Sequence, residues 1–274
     1  MIGAFLLAAL ASQAAPEVAC WSEKRLEAAP IVRATDDGYT VTIAPTTDPG
    51  VEFGCRAEVR DNSGRVVFEG EGFNTRLHPS SGVDVDGDGH GDLVVGVDTG
   101  GGNRCCWEYH VISLHPAARE IAKFDNPGFE PDSHGRTVIW TTVAFYGLGP
   151  SMAESPTLEI AEQFRSGRLV DVTAEYCDAL LAGALRGRGD LTAELAALTD
   201  AAKARSRNAG EKVDSDVGET RAAAYTVVLQ LAYCGREADA TRLIQSAWPD
   251  SMQSEVRRTF TAAAARERAN HQQP

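Results

Sequence analysis

The chain has 274 residues, with 39 acidic and 26 basic side chains and a formal net charge of −13. An acidic surface repels phosphate backbones, so composition sets nucleic-acid binding aside. The excess lies entirely in residues 1–175, which carry 26 acidic and 13 basic side chains, whereas residues 176–274 carry 13 of each.

The first ten residues are mostly apolar, and Ala11-Ser12-Gln13-Ala14-Ala15-Pro16 comes next. A short apolar core before small residues resembles a secretory signal peptide, here residues 1–15, cut near Ala14 or Ala15. The run falls short of the roughly 20 residues a spanning helix needs. The expectation is a secreted or periplasmic protein with no membrane span after signal removal.

Cys20, Cys55, Cys105, Cys106, Cys177 and Cys234 form an even set, which in an exported chain favours disulfides over metal binding or catalytic thiols. Cys105 and Cys106 are adjacent, and neighbours on a strand point to opposite faces. They are expected to reach separate partners, Cys20 and Cys55, rather than each other. Cys177 with Cys234 is expected to staple the helical part.

From about Ile31 to Val172 the hydrophobic period is mostly two. Tyr39, Val41 and Ile43 alternate with threonines, and Cys55, Ala57 and Val59 alternate with charged residues. Asp61-Asn62-Ser63-Gly64 reads as a hairpin turn into Arg65–Glu69. Further strands are predicted over 93–97, 107–114, 119–124, 137–146, 158–164 and 169–172. Turn signals separate nearly every pair and no long helix intervenes, so an antiparallel meander is expected for residues 16–172.

After Val172 the period becomes helical. Cys177, Leu180, Leu181, Ala184 and Leu185 share a stripe, and residues 190–204 repeat the pattern. Residues 208–215 are polar and read as a loop. Asp216 with Glu219 resembles a capping box before a helix over 220–234, which is apolar almost all round and should be buried. Gly235 should cap it. Ala240, Leu243, Ile244, Ala247 and Trp248 form the next stripe. Met252, Val256, Phe260 and Ala263 suggest a last helix within a helical domain of residues 173–268, before a polar tail of residues 269–274.

One segment carries most of the chemistry. Asp84-Val85-Asp86-Gly87-Asp88-Gly89-His90-Gly91-Asp92 brings four carboxylates onto a glycine-rich loop that runs into Leu93-Val94-Val95. Close carboxylates repel unless a cation lies between them. Asp84, Asp86, Asp88 and Asp92 occupy the first, third, fifth and ninth places of a calcium loop. His90 offers a backbone carbonyl at the seventh, and Gly89 stands at the sixth. Val95 replaces the bidentate glutamate of an EF-hand, and a strand comes next instead of a helix. The loop is expected to hold calcium as a structural cofactor.

The loop, with Asp84, Asp86, Asp88, Gly89 and Asp92 before a strand, resembles the calcium loops of FG-GAP and VCBS repeats. In related exported bacterial proteins a glycine-rich turn and paired cysteines often come after that strand, and Thr99–Cys106 looks similar. The resemblance covers some 15–20 residues and implies a calcium-stabilised β-structure. Asp125, Asn126, Glu130 and Asp132 suggest a degenerate second loop. Residues 231–249 resemble one tetratricopeptide-type helical hairpin, fewer units than such repeats need to stand alone.

Enzyme signatures are absent: the sequence has no phosphate loop, no Gly-x-Ser-x-Gly and no His-Glu-x-x-His. His110 and His115 are spaced to opposite strand faces, which disfavours zinc. Trp107 and Tyr109 should share a strand face. With Gly100, Gly101 and Gly102 they form the candidate ligand surface, and Trp140 and Tyr146 are further candidates. The fold class is α+β: an antiparallel β-meander domain with one calcium loop, then an α-helical domain. The expected role is an exported, non-catalytic binding or structural module for an envelope or extracellular ligand. The alternatives are a hydrolase of an envelope polymer using a carboxylate pair, and a helical docking module for a partner peptide.

Overall fold

A computed structural model of the chain describes residues 19–21, 31–35, 38–46, 54–100, 106–146, 148, 155–184, 215–248 and 250–271. It is an α+β structure of open antiparallel sheets with helices in its C-terminal part. The predicted signal peptide, the helix over 190–204 and most of the predicted polar loop lie outside the described residues. No described helix is long and apolar enough to cross a membrane.

The chain divides into two compact units, residues 1–81 with 93–122 and residues 82–92 with 123–274. In the first, β2 (Ile31–Ala34), β3 (Thr40–Pro45), β4 (Cys55–Arg60) and β5 (Val66–Gly72) form a four-stranded meander. The second sheet has the order β1-β6-β7-β8-β9, from β1 (Ala19–Cys20), β6 (Asn74–Leu77), β7 (Leu93–Asp98), β8 (Trp107–Ser113) and β9 (Arg119–Asp125). Alternation explains the packing. Val41, Ile43, Ala57, Val59 and Phe68 share one buried cluster with Leu77, Val95, Val97 and Ile112 of the five-stranded sheet.

Cys20 and Cys55 are bonded to each other within that cluster. This corrects the expectation that each would pair with a member of the Cys105–Cys106 doublet. β1 pairs with β6 on one sheet while Cys55 opens β4 on the other, so the two sulfurs meet inside the sandwich. Cys106 is also disulfide-bonded; Cys105 lies outside the described residues.

The second unit holds the sheet β10-β11-β12-β13, formed by β10 (Gly128–Pro131), β11 (Thr137–Ala144), β12 (Thr157–Arg165) and β13 (Arg168–Asp171). Its helices are α1 (Thr173–Ala184), α2 (Ser215–Tyr233), α3 (Glu237–Ala247) and α4 (Asp250–His271). Leu158 and Ile160 of β12 share a core with Val227, Val228 and Leu231 of α2 and with Phe260 and Ala263 of α4. The strand-to-helix change at 172–173 therefore lies inside this unit. Cys177 and Cys234 are bonded, as the sequence predicts. Gly235 ends α2 at φ +76°, with the Arg236 N–H donating to the Leu231 carbonyl at 2.8 Å, a Schellman closure.

Two hairpin turns share one chemical device. Asp61 accepts from the N–H groups of Ser63 and Arg65, and Asp132 accepts from those of His134 and Arg136. Burial opposes ionisation of Asp132, but these N–H groups, Gln163 and the Arg136 guanidinium outweigh it and hold the carboxyl far below the usual range. Asp132 thus closes the β10–β11 turn and is not gathered with Asp125 and Glu130 into a second metal loop.

The last helix runs past the predicted tail boundary to His271. Arg268 donates to the carbonyls of Ala232 and Tyr233, both at 2.6 Å, and its guanidinium lies 5.6 Å from the Tyr233 ring centroid. His271 sits between two carboxylates, with Nδ1 3.0 Å from Glu162 and Nε2 3.2 Å from Glu267. These long-range bonds extend a helix whose local sequence is polar.

Candidate metal centre and the aromatic face

The loop over 82–92 is built on backbone bonds between its own ends. The Gly82 N–H donates to the Asp92 carbonyl at 2.7 Å, and the Asp92 N–H donates to the Val83 carbonyl at 2.9 Å. Within the unit, the Thr137 hydroxyl at the start of β11 donates to the Asp84 carbonyl at 2.7 Å. Gly87 and Gly89 adopt φ +80° and +89°, a region that carries no steric cost for glycine.

These turns fold the chain back around Asp84. Its Oδ1 accepts from the N–H groups of Gly87 and Asp88, and its Oδ2 accepts from Gly89 at 2.9 Å. Asp88 Oδ1 accepts from the His90 N–H at 2.8 Å. The result brings one carboxylate oxygen each from Asp84, Asp86 and Asp88 within 4.8 Å of one another. This group could hold a metal ion.

Asp92 is not a member of that trio. It is only 1% exposed, and its Oδ2 accepts from the N–H groups of Val85 and Asp86 at 2.7 and 3.1 Å. Its Oδ1 is buried with no hydrogen-bond partner. Burial, together with the charges of Asp86 and Asp88, pushes its pKa up to about 7 against the pull of the Val85 and Asp86 N–H groups. A carboxylate oxygen buried without a donor is costly unless a cation or proton neutralises it.

Among the ligand-surface candidates, Trp107 and Tyr109 do share a face. Their rings stack with centroids 5.9 Å apart and planes at 25°. Gly100 lies just past β7, with its N–H donating to Asp98 Oδ1 at 3.0 Å. Gly101 and Gly102 lie outside the described residues. Opposite Tyr109 across the ladder stands Gly96, which pairs with Arg76 on its other side. With no side chain between them, Arg76 Nε reaches the Tyr109 hydroxyl at 2.9 Å, and Nη2 donates to the same oxygen. The guanidinium also lies 4.4 Å from the Trp107 ring centroid. Sequence reasoning passed over Arg76, because Asn-Thr-Arg-Leu is too short and polar to read as a strand. The mid-strand Gly96 was the available signal.

Trp140 packs edge-on against Tyr176 with a buried, unpartnered indole N–H, and Tyr146 is half exposed. His110 bonds Glu120 at 3.2 Å on the core side of β8, where its ring meets Phe68. Ala240, Ile244 and Trp248 are buried in the helical core, Leu243 packs partly buried against it, and Trp248 stacks on Tyr225. The chain matches no protein-family model, no curated protein and no solved structure.

Proposed function

We propose that the protein is an exported, non-catalytic binding or structural module whose Asp84–Asp92 loop holds one structural calcium ion. The observation that carries the reading is the pairing of the three-carboxylate group with the buried, donorless Oδ1 of Asp92 nearby in the same loop. The candidate donors are hard oxygens, without thiolate or imidazole in the group, which suits calcium over a transition metal. Asp84, Asp86 and Asp88 would hold the ion, with the His90 carbonyl and Asp92 completing the set. Binding would offset the repulsion between these carboxylates and tie the loop to the start of β11 through Thr137.

Two disulfide pairs suit an oxidising compartment. Calcium titrated into the chelated protein should bind with one-to-one stoichiometry and raise the melting temperature. A hundredfold excess over Kd corresponds to ~2.7 kcal/mol of stabilisation. Asp86→Ala should abolish both effects. Absence of binding in the folded wild type would sink the proposal.

A further inference from the structure

We propose that Arg76, with the indoles of Trp21 and Trp107, forms a recognition site for a carboxylate-bearing sugar, a uronic acid unit of an acidic glycan. The inference rests on the binding-module reading and names its ligand class.

The site is a product of register. Ala19 pairs with Arg76 on β1 and β6, Arg76 with Gly96, and Gly96 with Tyr109. The neighbouring row runs from Asn74 through Asp98 to Trp107. Directly opposite residues share a face, so these side chains lie together on the face turned away from Val95 and Ile112, where Tyr109 is buried and Arg76 and Trp107 keep partial exposure. Trp21 extends the second row, its ring edge-on to Trp107 at 6.0 Å and 69°. Trp21, Arg76 and Trp107 are all partly exposed.

Arg76 is the unusual member. Its side-chain hydrogen bonds go from Nε and Nη2 to a neutral phenol, and its Cζ lies 4.4 Å from the Trp107 and 5.4 Å from the Tyr109 ring centroid. It has no ion pair among the described residues. In a chain of net charge −13, a half-buried guanidinium without a carboxylate stands out. Aromatic faces offset part of its lost hydration. Nε and Nη2 point one edge of the guanidinium at the Tyr109 hydroxyl, which leaves Nη1 and the outer N–H of Nη2 as the edge that would grip a carboxylate with two parallel bonds. Asp98 is the nearest acidic group by register, yet its oxygens already accept from Asn74 Nδ2 at 2.7 Å and from the Gly100 N–H.

The ligand chemistry comes from these parts. The partly exposed Trp21 indole, edge-on to Trp107, offers flat apolar surface that matches the C–H face of a pyranose ring, while Trp107 seats the guanidinium. The single cation selects one carboxylate, and the acidic surroundings reject bulk polyanion binding. A neutral sugar would leave the guanidinium without its partner.

The test uses the calcium-saturated, signal-free protein with trigalacturonate and a hyaluronate tetrasaccharide, read by calorimetry and tryptophan fluorescence. A neutral galactose trisaccharide is the control. At least one acidic probe should bind, with affinity lowered by about tenfold or more in Arg76→Gln. Arg76→Lys should recover part of the loss, because it keeps charge but not the two-pronged geometry. Trp107→Phe should weaken binding while keeping an aromatic ring. Thermal melts establish that each variant is folded. Failure of both acidic probes, equal binding of the neutral sugar, or unchanged affinity in folded Arg76→Gln would overturn the proposal. The calcium-dependent melting shift is read separately, so either reading can fail alone.

Discussion

Gly96→Ala adds one methyl group at the point where Arg76, Trp107 and Tyr109 converge. Its Cβ would stand 2.6 Å from Tyr109 Cε1, 3.1 Å from Cδ1 and 3.2 Å from Trp107 Cε3. Comfortable carbon contacts need about 3.5–4.0 Å, so the tyrosine ring must retreat by about 1 Å. Tyr109 is 1% exposed and its hydroxyl is held by Arg76, so there is little room to give. Overpacking of this kind costs about 1–3 kcal/mol, and replacing a strand glycine returns about 0.5–1 kcal/mol. The net expectation is a loss of about 1–2 kcal/mol, lowering the melting temperature by ~2–4 °C per kcal/mol. The same change at Gly183, exposed on α1 with nothing within 4 Å of its would-be Cβ, should instead stabilise by about 0.5 kcal/mol. Urea unfolding followed by tryptophan fluorescence reports both variants. A Gly96→Ala protein as stable as the parent would refute the packing of Tyr109 over Gly96.

Two further perturbations address the second unit. Both ring nitrogens of His271 face carboxylates, and a neutral imidazole can donate to only one. The bond to Glu162, aided by Glu267 and opposed by burial, raises its pKa above the ordinary value. Of the charged groups nearby in the fold, Asp171 stands opposite Glu162 on β13 and accepts from the Tyr233 hydroxyl, and Arg268 on the same helix as His271 donates to the Ala232 carbonyl. A raised folded pKa contributes stability that is complete below the unfolded value of about 6.5 and is lost as pH climbs through the folded one. Melting temperature should therefore fall on the alkaline side in the wild type but not in His271→Gln; parallel profiles would contradict this. Cys177→Ala with Cys234→Ala opens a loop of sequence separation 57. Chain entropy puts the cost at ~4 kcal/mol, read as a lower urea midpoint in far-ultraviolet dichroism, and an unmoved midpoint would exclude a stabilising role.

The sequence alone determined the elements whose instructions are local. Alternation of Val41, Ile43, Ala57 and Val59 set buried strands. Asp61 set a hairpin turn through a side chain that reaches the backbone two to four residues on; the same device at Asp132 read in the sequence as part of a second metal loop, because one aspartate serves either role. The spacing of Asp84, Asp86 and Asp88 around two glycines set the carboxylate trio, because a tight glycine-rich turn leaves these side chains few other places to go. Tertiary structure decided everything that depends on pairing across distance. Alternation gives a strand its faces but not its neighbour, so the joining of Cys20 to Cys55 and the meeting of Arg76 with Tyr109 across Gly96 depend on sheet order and register. The extension of α4 to His271 likewise depends on Glu162, 109 residues away, and not on the polar tail's own propensity.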